Sequence, residues 1–237
     1  MDVKSISTHC TRTEFVGTTV LDTIGLVISG IDGQLLKEMN IGTRYHALGL
    51  LSSRTGAAGQ ITAVDDAVKA TNTEVLSIDL PRDTKGWGGH GNYIVLGGDD
   101  VSDVRYAVQL SLEHTKKYAG ELYISQSGHL EFAYSASAGP AIQKAFGAVP
   151  GEAFGFMAGS PAAIGLVMAD IAVKASAVKI IRYMTPSIGT SHSNEVILAL
   201  SGDASAVKNS VLEARQAGLE LLIGMGSYPD IPGTPYL

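Results

Sequence analysis

Three groups of residues have side chains and spacings that could do chemistry. The first is the glycine-rich run Gly86-Trp87-Gly88-Gly89-His90-Gly91. Such runs cradle phosphates when they follow a strand and open a helix, because free helix amides then face the anion. This one leads into Tyr93-Ile94-Val95-Leu96, which reads as a strand, and no Gly-Lys-Ser/Thr follows. A nucleotide site is not expected. The second group is Ser191-His192, a nucleophile beside a base. Adjacent side chains point apart, and no Gly-x-Ser-x-Gly elbow is present, so hydrolase chemistry is not expected. The third is His90 with His192, in comparable loops that would converge near a symmetry axis. Imidazoles gathered there could hold a metal, but no cysteine or neighbouring carboxylate completes a set. Hydrogen-bonding or pH-sensitive lining is the expectation, with no metal and no cofactor.

Composition narrows the classes further. Cys10 is the only cysteine, which excludes an intrachain disulfide and a cysteine-cluster metal site. The net charge of −6 and the absence of a Lys/Arg run argue against nucleic acid as a partner. No apolar stretch is long enough to suggest a membrane span, and Met1-Asp2-Val3-Lys4-Ser5 lacks a signal-peptide profile. A cytoplasmic location is expected. Only 17 % of residues are charged, against 45 % apolar, so much of the outside is expected to be covered by neighbouring subunits.

An internal repeat organises the elements that position these residues. Asp65-Asp66-Ala67-Val68-Lys69-Ala70 returns as Asp170-Ile171-Ala172-Val173-Lys174-Ala175, five of six places agreeing at an offset of 105. Ala47-Leu48-Gly49-Leu50-Leu51 answers to Ala153-Phe154-Gly155-Phe156-Met157, and the Gly98-Asp99 pair to Gly202-Asp203. A period of this length is a whole domain, not a solenoid unit. The chain therefore reads as an arm (1–14), two α/β domains (15–120 and 121–226) and a proline-bearing tail (227–237).

Each copy has the same expected plan. A strand (Ile24 to Ser29; Leu130 to Tyr134) precedes a short helix (Gly33 to Met39; Gly139 to Phe146) and a second strand from Ala47 or Ala153. The helix carrying the Asp-x-Ala-Val-Lys-Ala motif follows, with apolar residues at three- and four-residue spacing. A third strand (Glu74 to Leu80; Lys179 to Met184), a Gly/Ser-rich loop and a fourth strand (Tyr93 to Leu96; Val196 to Leu200) complete the sheet. A last helix starts after Gly-Asp, capped by Asp99 or Asp103 in one copy and Asp203 in the other. The two tails read as extended arms, since Pro229, Pro232 and Pro235 exclude a helix.

Gly-Leu-Leu, Asp-x-Ala-Val-Lys-Ala, a strand, a Gly/Ser loop, a strand and Gly-Asp before a helix form a pattern that resembles the bacterial microcompartment shell domain. The segments Thr71-Asn72-Thr73-Glu74-Val75, Leu80-Pro81-Arg82-Asp83-Thr84-Lys85-Gly86 and Gly189-Thr190-Ser191-His192-Ser193-Asn194-Glu195 narrow it. Together they resemble the tandem-domain shell proteins of propanediol-utilisation microcompartments. The strand and helix placed ahead of Ala47 match the circularly permuted members.

The resemblance implies an α+β fold of two tandem ferredoxin-like domains and a homotrimer that imitates a hexagonal tile. Such tiles meet other shell proteins edge to edge around an enzyme-filled lumen, with no catalysis of their own. It implies an inter-tile edge role for Lys69 and Lys174, which would otherwise read as solvated helix lysines. It implies that pores are lined by Thr84, Lys85, Gly86, Trp87, Gly88, Gly89 and His90, and by Ser187, Gly189, Thr190, Ser191, His192 and Asn194. Backbone amides and hydroxyls there would exchange hydrogen bonds with small polyols such as 1,2-propanediol or glycerol at little net cost. The N-terminal arm would bind lumenal enzymes. A trimeric small-molecule-binding regulator is the alternative, and a hydrolase a more distant one.

Overall fold

The computed structural model of the chain describes residues 12–42, 44–82, 90–226 and 228–237. Two five-stranded sheets form in succession. The first holds β1 (Phe15–Thr19), β2 (Thr23–Ile28), β3 (Ala47–Ser53), β4 (Glu74–Asp79) and β5 (Asn92–Gly98), in the order β1-β2-β3-β5-β4. The second holds β6 (Leu122–Ser125), β7 (Gly128–Ser135), β8 (Ala153–Ser160), β9 (Lys179–Met184) and β10 (Val196–Gly202), in the matching order β6-β7-β8-β10-β9. Every neighbouring pair is antiparallel. The helices are α1 (Gly33–Glu38), α2 (Ala58–Lys69), α3 (Val101–Tyr118), α4 (Pro140–Phe146), α5 (Ala162–Ala175) and α6 (Ala204–Gly224).

The repeat is thus one topology used twice, and a glycine shows why its sequence persists. Inward residues of a half-buried strand alternate, so Ala47, Gly49 and Leu51 face the helices of their sheet. At Gly49 the α3 side chains press so close that a Cβ would lie 2.8 Å from Val108 and 3.0 Å from Val104. At Gly155 a Cβ would lie 2.7 Å from Val211 and 2.8 Å from Val207 of α6. The same pair of valines, four residues apart on one helix face, meets the same bare strand position in both copies.

Three features depart from the sequence expectation. Each sheet has an additional edge strand, β1 and β6. The β1–β2 turn is built with Leu21 and Asp22 at positive φ, without the glycine that would have marked it. The α3 cap is Asp100, whose carboxylate accepts from the Ser102 amide, and not Asp99 or Asp103; Asp203 caps α6 as expected. Residues 228–237 are without helix but are held against the second domain. Asp230 pairs with Ile124, and the amides of Tyr236 and Leu237 donate to the buried Glu121 carboxylate at 2.7 and 2.9 Å. Arg215 completes that site at 3.0 Å.

One apolar core runs through both domains. Phe146 of α4 stacks on Phe154 of its own sheet at 5.3 Å, while α4 also packs against α2 and β4 of the first domain. Ile61, Val64 and Val68 therefore share a cluster with Ile142, Phe146 and Phe156. Gly155→Val is expected to overpack the strand–helix contact and lower stability by about 1–3 kcal/mol. The open Gly30, with nothing near its Cβ position, should accept alanine with far less change. Denaturant midpoints of the two variants check this.

Candidate functional site

The chemistry-bearing residues concentrate where the two domains meet. A helix start exposes amides that need acceptors, usually from its own preceding Ser, Thr, Asp or Asn. Helix α2 follows Ala57 and helix α4 follows Gly139, and neither has a cap of its own. Each is capped by the other domain. Glu131 Oε1, from β7, accepts from the amides of Ala57 at 3.0 Å and Ala58 at 2.9 Å. Asp65, from α2, accepts from Gly139 and Ala141 at 2.9 Å each and from Ile142 at 3.2 Å. Both carboxylates are buried, so without these amides each would be a desolvated charge with too few partners.

Lys69 sits at the same contact. Its Nζ is 2.7 Å from Asp65 and donates to the Ser137 carbonyl at 2.8 Å. Gly139 is glycine because a Cβ there would collide with the Lys69 stem and the Asp65 carboxylate. The repeat partner Lys174 pairs with Asp170 at 2.6 Å, but both side chains are open, at 72 % and 56 % exposure.

The same inequality extends across the face. Ile61 and Thr62 are buried under the second domain, whereas their repeat partners Leu166 and Val167 on α5 are 53 % and 44 % exposed. Val75 and Ile78 of β4 pack on the shared core, whereas Ile180 and Tyr183 of β9 lie open. On the other side, Gly139 is sealed while Gly33 has nothing near its Cβ position, and Leu35 of α1 is exposed. The second domain thus presents uncovered the apolar face that the first domain has covered.

The expected loop residues divide as follows. Thr84, Lys85, Gly86, Trp87, Gly88 and Gly89 lie outside the described residues. Ser187, Gly189, Ser191, His192 and Asn194 are at the surface, in a turn where Gly189, Ser191 and His192 have positive φ. Thr190 is buried and donates to the Thr185 carbonyl at 2.9 Å, holding that turn closed. Asn194 Oδ1 accepts from the Ala162 amide at 3.2 Å at the start of α5. His90 and His192 do not come together in the single chain: His192 is exposed, and His90 is sealed against Glu195 of the second domain. Asp65, Glu131, His129 and Glu195 were not singled out from sequence. Only Asp65 had a signal, its place in the repeated motif. Among the described residues no group of three His, Cys, Asp or Glu side chains is placed to hold a metal ion. No helix among them is long and apolar enough to cross a membrane.

The sequence pattern of the BMC domain matches residues 47–127 and 153–228, each match opening at the Ala-x-Gly strand, β3 or β8. The chain belongs to the BMC domain family, and its role is that of a structural protein of the bacterial microcompartment shell. Within that family it is similar to the bacterial microcompartment shell protein PduB of Citrobacter freundii, with 50 % identity over 228 residues, 96 % of this chain and 84 % of the relative. The crystal structure of a trimeric PduB shell protein is 44 % identical with a TM-score of 0.92, covering 95 % of this chain and all of the other. EtuB from Clostridium kluyveri is 47 % identical with a TM-score of 0.93, covering 96 % and 100 %.

Asp65→Ala removes the acceptor for three amides at the start of α4 and leaves Lys69 with the Ser137 carbonyl but no carboxylate. Stability should fall by about 1–2 kcal/mol, measured by urea unfolding. Glu113→Ala, on the exposed face of α3, should stay within about 0.5 kcal/mol of the parent chain.

Proposed function

We propose that three copies of this chain close into a six-domain shell tile, in which the second domain of each copy packs on the first domain of the next. The observation that carries this is the unequal pair of faces. Leu166, Val167 and Ile180 repeat a surface that, in the first domain, is filled by α4 of the same chain. By that correspondence the occupant is the α1 end of a second copy, where Gly33 and Leu35 lie uncovered. A heterologous contact of this kind closes into a ring when its rotation is right. The trimeric PduB relative supports the number three. Leu166→Asp with Val167→Asp should give a folded monomer, seen as one-third of the parent mass in light scattering with retained circular dichroism. A trimer of unchanged stability would remove α5 from the contact.

The tile meets other shell proteins along its rim, and Lys69 and Lys174 contribute to that edge. Lys69 is partly occupied within the chain, while Lys174 is free of the first domain, so their shares differ. Lys69→Ala with Lys174→Ala should abolish sheets in electron micrographs while the trimer persists. Loss of the trimer would assign both lysines to contacts within the tile.

In sequence, the loops at 82–92 and 186–194 carry hydroxyl residues and glycines alongside Trp87 and the exposed Ile188. They suit the passage of small polyols such as 1,2-propanediol and glycerol, without turnover. Gly88→Trp and Ser187→Trp should each slow diol entry into intact compartments several-fold. Unchanged flux in both would take these loops out of the path. The segment 1–14 is the proposed contact for lumenal enzymes, and its deletion should release cargo from purified compartments.

A further inference from the structure

Four ionisable side chains meet where the domains close, and the shell role uses none of their acid–base chemistry. His90 leads into β5 and Glu195 into β10, and both are sealed from solvent. Nδ1 of His90 is 2.7 Å from Oε1 of Glu195. The other side of the His90 ring, Nε2, lies 3.8 Å from Oε2 of Glu131. Oε2 of Glu195 lies 3.4 Å from Nε2 of His129. Carboxylates and imidazoles therefore alternate, Glu131, His90, Glu195, His129, and His90 is the only member from the first domain. His90 Nε2, both ring nitrogens of His129 and Oε2 of Glu195 have no hydrogen-bond partner.

Charge balance decides what such a cluster holds. Glu131 is partly neutralised by the Ala57 and Ala58 amides at a helix start. Among the described residues, Glu195 faces the two imidazoles. Among these same residues, Arg82 bridges to His90 through its backbone and the Arg54 backbone abuts Gly91; both residues are exposed. The buried Tyr236 hydroxyl senses the Glu131 charge but supplies no positive charge. With both imidazoles neutral, the described residues would bury two carboxylates in the closed seam with no counter-charge beside them, which burial strongly disfavours.

We propose that the seam is a proton-binding site, with one proton resident on His90 and acting as the ligand that ties the first domain to the second. With the proton in place, a charged hydrogen bond crosses from His90 to Glu195 and its other N–H faces Glu131. Without it, the seam carries uncompensated carboxylates and the domains loosen.

The ionisation tendencies agree. Burial pulls the His90 imidazole down, but the Glu195 hydrogen bond and the charges of Glu195 and Glu131 outweigh it and hold His90 above the ordinary 6.5. Burial pushes Glu195 up, but His129 and His90 bring it down to about 2. A raised imidazole stabilises fully below 6.5 and loses that contribution as pH climbs past its folded value. A depressed carboxylate stabilises above its ordinary 4.5 and loses that contribution as pH falls towards about 2. The tie is therefore complete from about pH 4.5 to about 6.5 and is lost on the alkaline side as pH rises through the folded value of His90.

The test starts with the unaltered full chain. Deuterium exchange at the imidazole C2 position, read by mass spectrometry, yields a titration midpoint for His90, with the exposed His192 in the same sample for comparison. His90 is expected to titrate above 6.5. Thermal unfolding between pH 6 and 9 is then compared for the parent chain, His90→Gln and Glu195→Gln. Loss of one bound proton weakens the parent's folding equilibrium by up to about tenfold per pH unit between the ordinary 6.5 and the folded midpoint, and no further above it. Both variants should lack that slope, the first having no site for the proton and the second no need of it. A His90 midpoint at or below 6.5 overturns the proposal, as do three parallel pH slopes. The exchange measurement needs no variant, so a poorly folding substitution does not blunt the test.

Discussion

The exchange of carboxylates across the domain boundary is the constraint on which the rest of the structure depends. Two helices begin without caps, and each receives one from the other half of the chain. Asp65 and Glu131 are buried acids that neither half could hold alone, because each would face desolvation without its amides. The apolar layer around Phe146 brings the halves together, but it is the two caps that specify how they meet. Gly139 follows from this, since the cap leaves no room for a side chain.

Much of this organisation was legible because it is repetitive and local. The Asp-x-Ala-Val-Lys-Ala helix and the Ala-x-Gly strand recur with their spacing intact, and the packing of Val104 and Val108, or Val207 and Val211, against the strand glycine explains why. What escaped has a physical reason in each case. The β1–β2 turn uses Leu21 and Asp22 in a backbone region that glycine normally advertises. The choice of Asp100 over its neighbours Asp99 and Asp103 depends on a single cap geometry. The His90–Glu195 contact joins residues 105 apart, the repeat's own offset, but it sets an imidazole in one copy against a carboxylate in the other, so no sequence match marks it. Repeat-based reading finds what the halves have in common, and the seam is where they differ.

That difference bears on the charge-poor composition. A chain with few charged residues has apolar surface to hide, and the structure shows where it lies. Leu166, Val167, Ile180 and Tyr183 are uncovered on the second domain, while Ile61 and Thr62 are buried and Val75 and Ile78 half-buried on the first. Equal sequences at Lys69 and Lys174 thus lead unequal lives, one bracing an internal contact and the other standing at the surface.

The sealed Gly139 and the open Gly33 also give the chain a direction. In the proposed assembly one end offers a face and the other what fits it, so addition of further copies would have a head and a tail. Whether such growth stops depends only on the angle between the two ends of a single chain. A small hinge error between the halves would turn a flat closed ring into an open spiral. In the proposed ring, the stiffness of the internal joint would hold that angle.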